Sequence, residues 1–107
     1  MKYNVAILKN AKDDLNDIID YVSNSDIIET AEKLINNIEK TIRSFDMLPN
    51  RGHLSPELER IGISDFKEIH LNPYRIIFRI IDKNVFIYCV LEGRRNLSEL
   101  LEKRLLR

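Results

Sequence analysis

The stretch YRIIFRIIDKNVFIYCVLEGRR, residues 74 to 95, contains two apolar runs separated by three polar residues. Residues 74 to 81 and residues 85 to 91 are rich in β-branched and aromatic side chains, which favour strands. Because the connection is so short, the two strands are predicted to pair in an antiparallel manner. The second run is apolar on both faces, so we expect it to be the central strand of a sheet that helices cover on at least one side.

The first of these strands separates its side chains into two sets. Successive residues of a strand point to opposite faces, which places Arg75, Ile77 and Arg79 on one side and Tyr74, Ile76, Phe78 and Ile80 on the other. The apolar side must meet the core. The pattern therefore predicts that Arg75 and Arg79 point to an open face of the sheet.

The upstream sequence adds a strand and two helices. Residues 2 to 8 alternate as a half-buried strand does, and residues 11 to 24 have apolar side chains at helical spacing. A second helix is predicted from about residue 27 to 48, and the short link makes the two helices an antiparallel hairpin. Four acidic residues of the first helix are assigned to its outer, polar face: Asp13, Asp14, Asp17 and Asp20.

The remaining segments complete an α+β domain. Residues 49 to 65 lack a sustained period and are expected to form a loop with a short helical turn, and residues 66 to 71 form a strand. The tail after Gly93 is predicted to be a short C-terminal helix. Together these elements indicate a single domain, residues 1 to 107, in which a twisted antiparallel sheet carries a helical hairpin on one face.

Composition sets further limits. Of the 107 residues 44% are hydrophobic and 32% are charged, which is ordinary for a soluble globular protein, and no apolar run is long enough for a membrane span. We therefore expect a cytoplasmic protein without a membrane partner. The one cysteine, Cys89, lies inside an apolar strand and is predicted to be an inert core thiol.

Charge is balanced overall but unevenly distributed. The formal net charge is zero, yet residues 10 to 48 hold four Lys/Arg against nine Asp/Glu, and residues 49 to 107 hold eleven against eight. A basic surface for an anionic partner is thus compatible with a neutral chain. The candidates for such a target-binding patch are Lys67, Arg75, Arg79, Arg94, Arg95 and Arg104; the alternative is a solvated face with weak exposed ion pairs.

Acid–base or metal chemistry has few candidates in this sequence. His70 and Glu68 fall on the same face of one strand, where His70 could act as an acid or base beside the carboxylate. The alternative is that His70 is an ordinary polar residue of the strand. Two histidines and one cysteine show no zinc-site spacing, and no nucleotide-binding or hydrolase motif is present, so no metal or cofactor is predicted.

Three segments together resemble a known family. RGHLSPELERIGISDFKEIHL, PYRIIFRI and VLEGRRNLSELLEKRLLR look like the RelE/ParE superfamily of toxins from type II toxin–antitoxin systems, also called plasmid stabilisation proteins. The resemblance covers essentially the whole chain and includes the order of strands and helices given above. It implies a growth-inhibiting toxin that a cognate antitoxin neutralises in a toxin–antitoxin hetero-oligomer by covering the basic face or the hairpin.

The superfamily has two branches with different targets. RelE-like toxins cleave mRNA in the ribosomal A site, and in that branch Arg75 and Arg95 match phosphate-binding arginines, with His70 as a candidate proton-transfer group. ParE-like toxins poison DNA gyrase without ribonuclease chemistry. The tail from 92 to 107 contains no aromatic residue and no histidine, and Leu101 lies about where RelE-like enzymes have a tyrosine.

The tail and the long hairpin resemble the ParE-like branch more closely, although Glu92 stands where that branch often has a histidine. We therefore expect a toxin that binds and poisons DNA gyrase. The alternative is a RelE-like, ribosome-dependent mRNA interferase that uses Arg75 and Arg95.

Overall fold

The computed structural model describes most of the chain: residues 3–24, 28–45, 52–71, 73–93 and 97–105. Within these ranges strands and helices follow in the order β1 (Asn4–Ile7), α1 (Lys9–Ser23), α2 (Ile28–Ser44), β2 (His53–Leu54), α3 (Pro56–Glu59), β3 (Lys67–Leu71), β4 (Tyr74–Ile81), β5 (Asn84–Glu92) and α4 (Ser98–Leu105). The α+β class, the helical hairpin and the short C-terminal helix are confirmed.

The five strands form one sheet in the order β1-β5-β4-β3-β2. The pairs β3–β4 and β4–β5 are antiparallel, as the meander prediction required. β2, which lies in the segment predicted to be a loop, pairs antiparallel with β3. β1 instead runs parallel to β5, so the antiparallel pairing predicted for the sheet does not extend to β1. A period of two residues identifies a strand but carries no information about its direction, which here depends on the long crossover between β1 and β5. β4, not β5, is the middle strand, although β5 has a neighbour on each side.

One face of the sheet packs on the helical hairpin. Ile18 of α1, Ile38 of α2 and Phe45, directly after α2, join Ile76 and Phe78 of β4 in a buried cluster. The rings of Phe45 and Phe78 lie 4.6 Å apart, centroid to centroid. The predicted apolar side of β4 therefore meets the core.

The opposite face of the sheet is covered as well. Leu58 of α3 and Leu101 of α4 pack with Phe66, Ile77 and Cys89 in a second buried cluster. The prediction of an open face beneath Arg75 is therefore wrong. The alternation of side chains shows which residues share a face of the strand, but it does not show what covers that face. Burial raises the pKa of the Cys89 thiol to about 11, in keeping with an inert core residue.

None of the helices in the described ranges is long and apolar enough to cross a membrane.

Candidate functional site

Arg75 lies in the interior, with only 6% of its surface exposed. Its Nη1 donates to Oε1 of Glu57 at 2.8 Å, and its Nη2 donates to Oε2 of the same carboxylate at 2.7 Å. Nη1 also lies 3.3 Å from Oε1 of Glu68. The prediction that Arg75 faces an open surface is therefore wrong, since its guanidinium group is enclosed by two carboxylates.

The local fold explains how Glu57 reaches this arginine. Ser55 is extended, and Pro56 begins α3 with a backbone angle that suits the first turn of a helix. The next residue, Glu57, is then directed inward while Leu58 packs in the second core. The sequence prediction of a short helical turn was correct, but the buried carboxylate on it was missed.

The two charges stabilise each other. The hydrogen bond from Arg75 lowers the pKa of Glu57 to about 2, although burial alone would raise it. In return the same bond raises the pKa of Arg75, again against the effect of burial. The pair therefore stays ionised at neutral pH, with the bidentate geometry that strengthens arginine–carboxylate contacts.

Glu57 also holds the segment that leads into α4. The backbone N–H of Leu97 donates to Oε2 of Glu57 at 3.0 Å, directly before the helix begins at Ser98. A carboxylate at this end of a helix interacts favourably with its partial positive charge. Glu57 thus links Arg75 on β4 to the start of the C-terminal helix.

Gly93 is explained by the same arginine. A Cβ atom at Gly93 would lie 2.5 Å from Cγ of Arg75, and the N–H of Gly93 donates to the carbonyl of Pro73 at 2.8 Å. Only a residue without a side chain leaves room for the Arg75 stem at this point. The glycine that precedes the two adjacent arginines is therefore a packing requirement of the buried ion pair.

A second arginine of the predicted patch is also paired. The two terminal nitrogens of Arg104 donate to the two carboxylate oxygens of Asp14, each at 2.8 Å. Asp14 is 6% exposed and accepts a further bond from the N–H of Val90 at 3.0 Å. The assignment of Asp14 to the outer face of its helix is wrong, and the bond to Asp14 raises the pKa of Arg104.

The edge of the sheet brings three titratable side chains together. Nε2 of His70 bonds Oε2 of Glu68, which confirms the predicted contact on this strand face. His53, which faces Glu68 across the β2–β3 pair, has its Nε2 3.9 Å from the same oxygen. These three residues have the donor atoms to hold a metal ion, a grouping that the sequence spacing did not reveal.

The remaining predicted cations differ in their surroundings. The guanidinium of Arg79 lies 5.8 Å from the centre of the Phe66 ring, and Lys67 is half-buried at the β3–β4 pair. Arg94 and Arg95 lie outside the described residues. Their predicted binding roles, like those of Lys67 and Arg79, stay predictions.

The five-stranded sheet with a helical hairpin on one face and a short C-terminal helix on the other defines a small α+β class of protein. The family model for the ParE toxin of the type II toxin–antitoxin system parDE matches residues 5–97. The chain therefore belongs to the ParE toxin family. A comparison with curated protein sequences finds no match.

Solved structures of toxins from two branches share this fold. The chromosomal ParDE system from P. aeruginosa matches with a TM-score of 0.68 at 19% identity, covering 85% of this chain and 96% of the other. A double arginine-to-alanine mutant of E. coli toxin RelE in the free state matches with a TM-score of 0.64 at 18% identity, covering 100% of this chain and 98% of the other. The RelBE2 complex from Mycobacterium tuberculosis matches with a TM-score of 0.51 at 19% identity, covering 86% of this chain and 92% of the other. These low identities support a common fold.

Proposed function

We propose that this ParE-family toxin inhibits growth by binding and poisoning DNA gyrase. The observation that carries the proposal is the enclosure of Arg75 by Glu57 and Glu68, because this is the residue that a RelE-like ribonuclease would use on the scissile phosphate. A toxin that acts by binding its target has no need to expose this guanidinium.

The cost of breaking the buried ion pair favours a structural role for Arg75. To contact a phosphate, the side chain would have to leave both carboxylates and its packing against Gly93. Removing one partner from a buried ion pair typically costs about 3–5 kcal/mol, because the other charge stays buried without compensation. A substrate phosphate would have to offset this cost at every catalytic cycle.

The C-terminal segment supports the same proposal. Its tail has no aromatic residue and no histidine that could transfer a proton to a leaving group. Its helix is tied to the rest of the fold near both ends, through Leu97 to Glu57 and through Arg104 to Asp14. α4 is therefore suited to a fixed part of a binding surface.

We propose a cognate antitoxin as the physiological partner, in a toxin–antitoxin hetero-oligomer. The family membership and the toxin–antitoxin systems among the structural neighbours support this partner. On α1, Tyr21 is 76% exposed and Ile19 is 37% exposed. Such exposed apolar residues favour the hairpin as a surface that an antitoxin segment covers.

A ribosome-dependent mRNA interferase is the second candidate function. It is favoured by the contact of His70 with Glu68 at an exposed sheet edge, where an imidazole could transfer protons. In this alternative Arg75 and Arg95 would hold the phosphate, and Arg75 would first have to leave Glu57.

The two candidates are separated by assays with the antitoxin-free toxin and purified components. With gyrase and supercoiled plasmid we expect cleaved, gyrase-bound DNA to accumulate, and His70→Ala should behave as the wild type does. In a purified translation system, primer extension should find no toxin-dependent mRNA cleavage. Cleavage of ribosome-bound mRNA, with gyrase unaffected, would exclude the proposed target in favour of the alternative.

A further inference from the structure

We propose that His53, Glu68 and His70 form a binding site for a divalent late first-row transition metal ion, with Zn²⁺ as the representative ion. The proposal does not depend on the target of the toxin. It rests on the geometry of these side chains, on the environment of Glu68 and on the close pairing of the two edge strands.

The backbone register places the three side chains at one point of the sheet edge. His53 on β2 is the direct cross-strand partner of Glu68 on β3, and His70 follows Glu68 by two residues on the same face. The potential ligand atoms all lie within 4.8 Å of one another, and the two imidazole rings are 4.9 Å apart, centroid to centroid.

Only small side-chain movements are needed to surround an ion. Ligands at zinc–nitrogen and zinc–oxygen distances in a tetrahedral site lie about 3.4 Å apart. Nε2 of His53 is 3.9 Å from Oε2 of Glu68, and the two histidine side chains are 56% and 54% exposed, so both rings have room to turn. The carboxylate need not move.

Glu68 is already oriented as a ligand. Its side chain is 0% exposed, with Oε1 directed to Arg75 and Oε2 directed to the two histidines. Partners that hold a ligating carboxylate in place usually strengthen metal binding. Since Arg75 also pairs with Glu57, the described side chains of this buried group include two carboxylates that share one guanidinium, and a bound cation would add a second positive charge beside them.

The backbone fixes β2 close to β3. Gly52 has a φ of +89°, and a Cβ atom there would lie 2.4 Å from the carbonyl oxygen of Glu68. Beyond β2, the N–H of Ser55 donates to the carbonyl of Phe66 at 3.1 Å. His53 is therefore presented by a strand that is held on both sides of it, and not by a free loop.

The donor set selects the class of metal. Two imidazoles and one carboxylate suit Zn²⁺, Ni²⁺ or Cu²⁺, whereas Mg²⁺ and Ca²⁺ prefer oxygen ligands. Three protein ligands leave a fourth position for water or a further ligand. The exposed side of the cluster, at His53 and His70, is where that position would lie.

The test is calorimetric titration of the untagged, EDTA-treated full chain with ZnCl₂, and in parallel with MgCl₂. We expect one Zn²⁺ per chain and no heat of binding with Mg²⁺. His53→Ala and His70→Ala should each weaken Zn²⁺ binding by at least about 10-fold, the lower end of the effect seen when even a supporting residue is removed. Glu59→Ala, which removes an exposed carboxylate of α3, is the matched control and should bind as the wild type does.

A second measurement keeps the result independent of folding defects. Zn²⁺ should raise the thermal unfolding midpoint of the wild type and of Glu59→Ala, and should leave that of the His53→Ala, His70→Ala double variant unchanged. Circular dichroism without metal checks that the variants are folded. If the wild type binds no Zn²⁺, or if both histidine variants bind it as tightly as the wild type, the proposal is wrong.

Discussion

One arginine–carboxylate pair joins β4 to α3, a second joins α4 to α1, and the two differ in depth. In the Arg75–Glu57 pair the side chains are 7% and 5% exposed, whereas in the Arg104–Asp14 pair they are 24% and 6% exposed. Each carboxylate also accepts a backbone N–H from the C-terminal part of the chain. The comparison indicates that the deeper arginine is a fixed structural element, while the shallower one keeps partial access to solvent.

The largest effect is expected for Glu57→Ala, which leaves Arg75 buried without its bidentate partner and removes the acceptor of the Leu97 N–H. The free energy of unfolding should fall by about 3–5 kcal/mol. Urea unfolding of the antitoxin-free chain, followed by circular dichroism, measures it. Glu59→Ala, on the same short helix but exposed, is the control, and an equal small loss in both variants would contradict the structural role of the pair.

Acid should weaken the deeper pair over a defined range. The pKa of Glu57 is about 2 in the folded chain and 4.5 as its ordinary value, so between these values the unfolded state binds more protons than the folded state. The stabilisation from Glu57 is present above pH 4.5 and is lost as the pH falls toward about 2, which amounts to about 3 kcal/mol.

The measurement for this pH dependence is urea unfolding at a series of acidic pH values for the wild type and Glu57→Gln. The variant should show a flatter dependence because it lacks the titrating carboxyl group. Parallel curves for the two proteins would show that Glu57 does not titrate with a lowered pKa.

The shallower pair should be less sensitive. Arg104→Ala removes two charge-assisted hydrogen bonds, but Asp14 keeps the bond from the N–H of Val90. The Arg104 side chain is itself partly exposed, so water can reach Asp14 once it is removed. We expect a loss of about 1.5–3 kcal/mol in the free energy of unfolding, with Arg104→Lys intermediate because lysine cannot form the bidentate contact. Lys103→Ala, at the neighbouring exposed position, is the control. A loss larger than that of Glu57→Ala would reverse the ranking of the two pairs.

The smallest loss in the free energy of unfolding is expected for Arg79, whose partner is the aromatic ring of Phe66. Arg79→Ala removes a guanidinium that lies 5.8 Å from the Phe66 ring centre, a contact worth about 0.5–1 kcal/mol near a surface. Lys83→Ala in the exposed turn between β4 and β5 serves as the comparison in the same unfolding assay. A loss that equals that of Arg104→Ala would mean that Arg79 has a further stabilising role.

Local periodicity was enough to predict most of the fold. The alternation in residues 74 to 81 correctly assigned one face to the core, and helical spacing found both helices of the hairpin. The direction of β1 and the cover over the second face could not be predicted, because both depend on contacts between segments far apart in the chain.

The candidate site was less predictable, for the same reason. Glu57 lies in a segment without periodicity, and nothing near it in sequence indicates a bond to Arg75. Two signals were nevertheless present. Asp14 follows Ala11 by three residues, which places it beside the apolar face of its helix. The second signal is Gly93, since a glycine directly after a strand often marks a close approach to another group, here the side chain of Arg75.

We propose that Arg75, the arginine that a RelE-like toxin would use for phosphate binding, is structural here and that the toxin acts on gyrase. The most direct test is pulse incorporation of labelled thymidine and labelled leucine in a bacterial host, directly after induction of the toxin without its antitoxin. If gyrase is the target, thymidine incorporation falls first while leucine incorporation continues. An early fall in leucine incorporation, with thymidine spared, would contradict this proposal and indicate a target in translation.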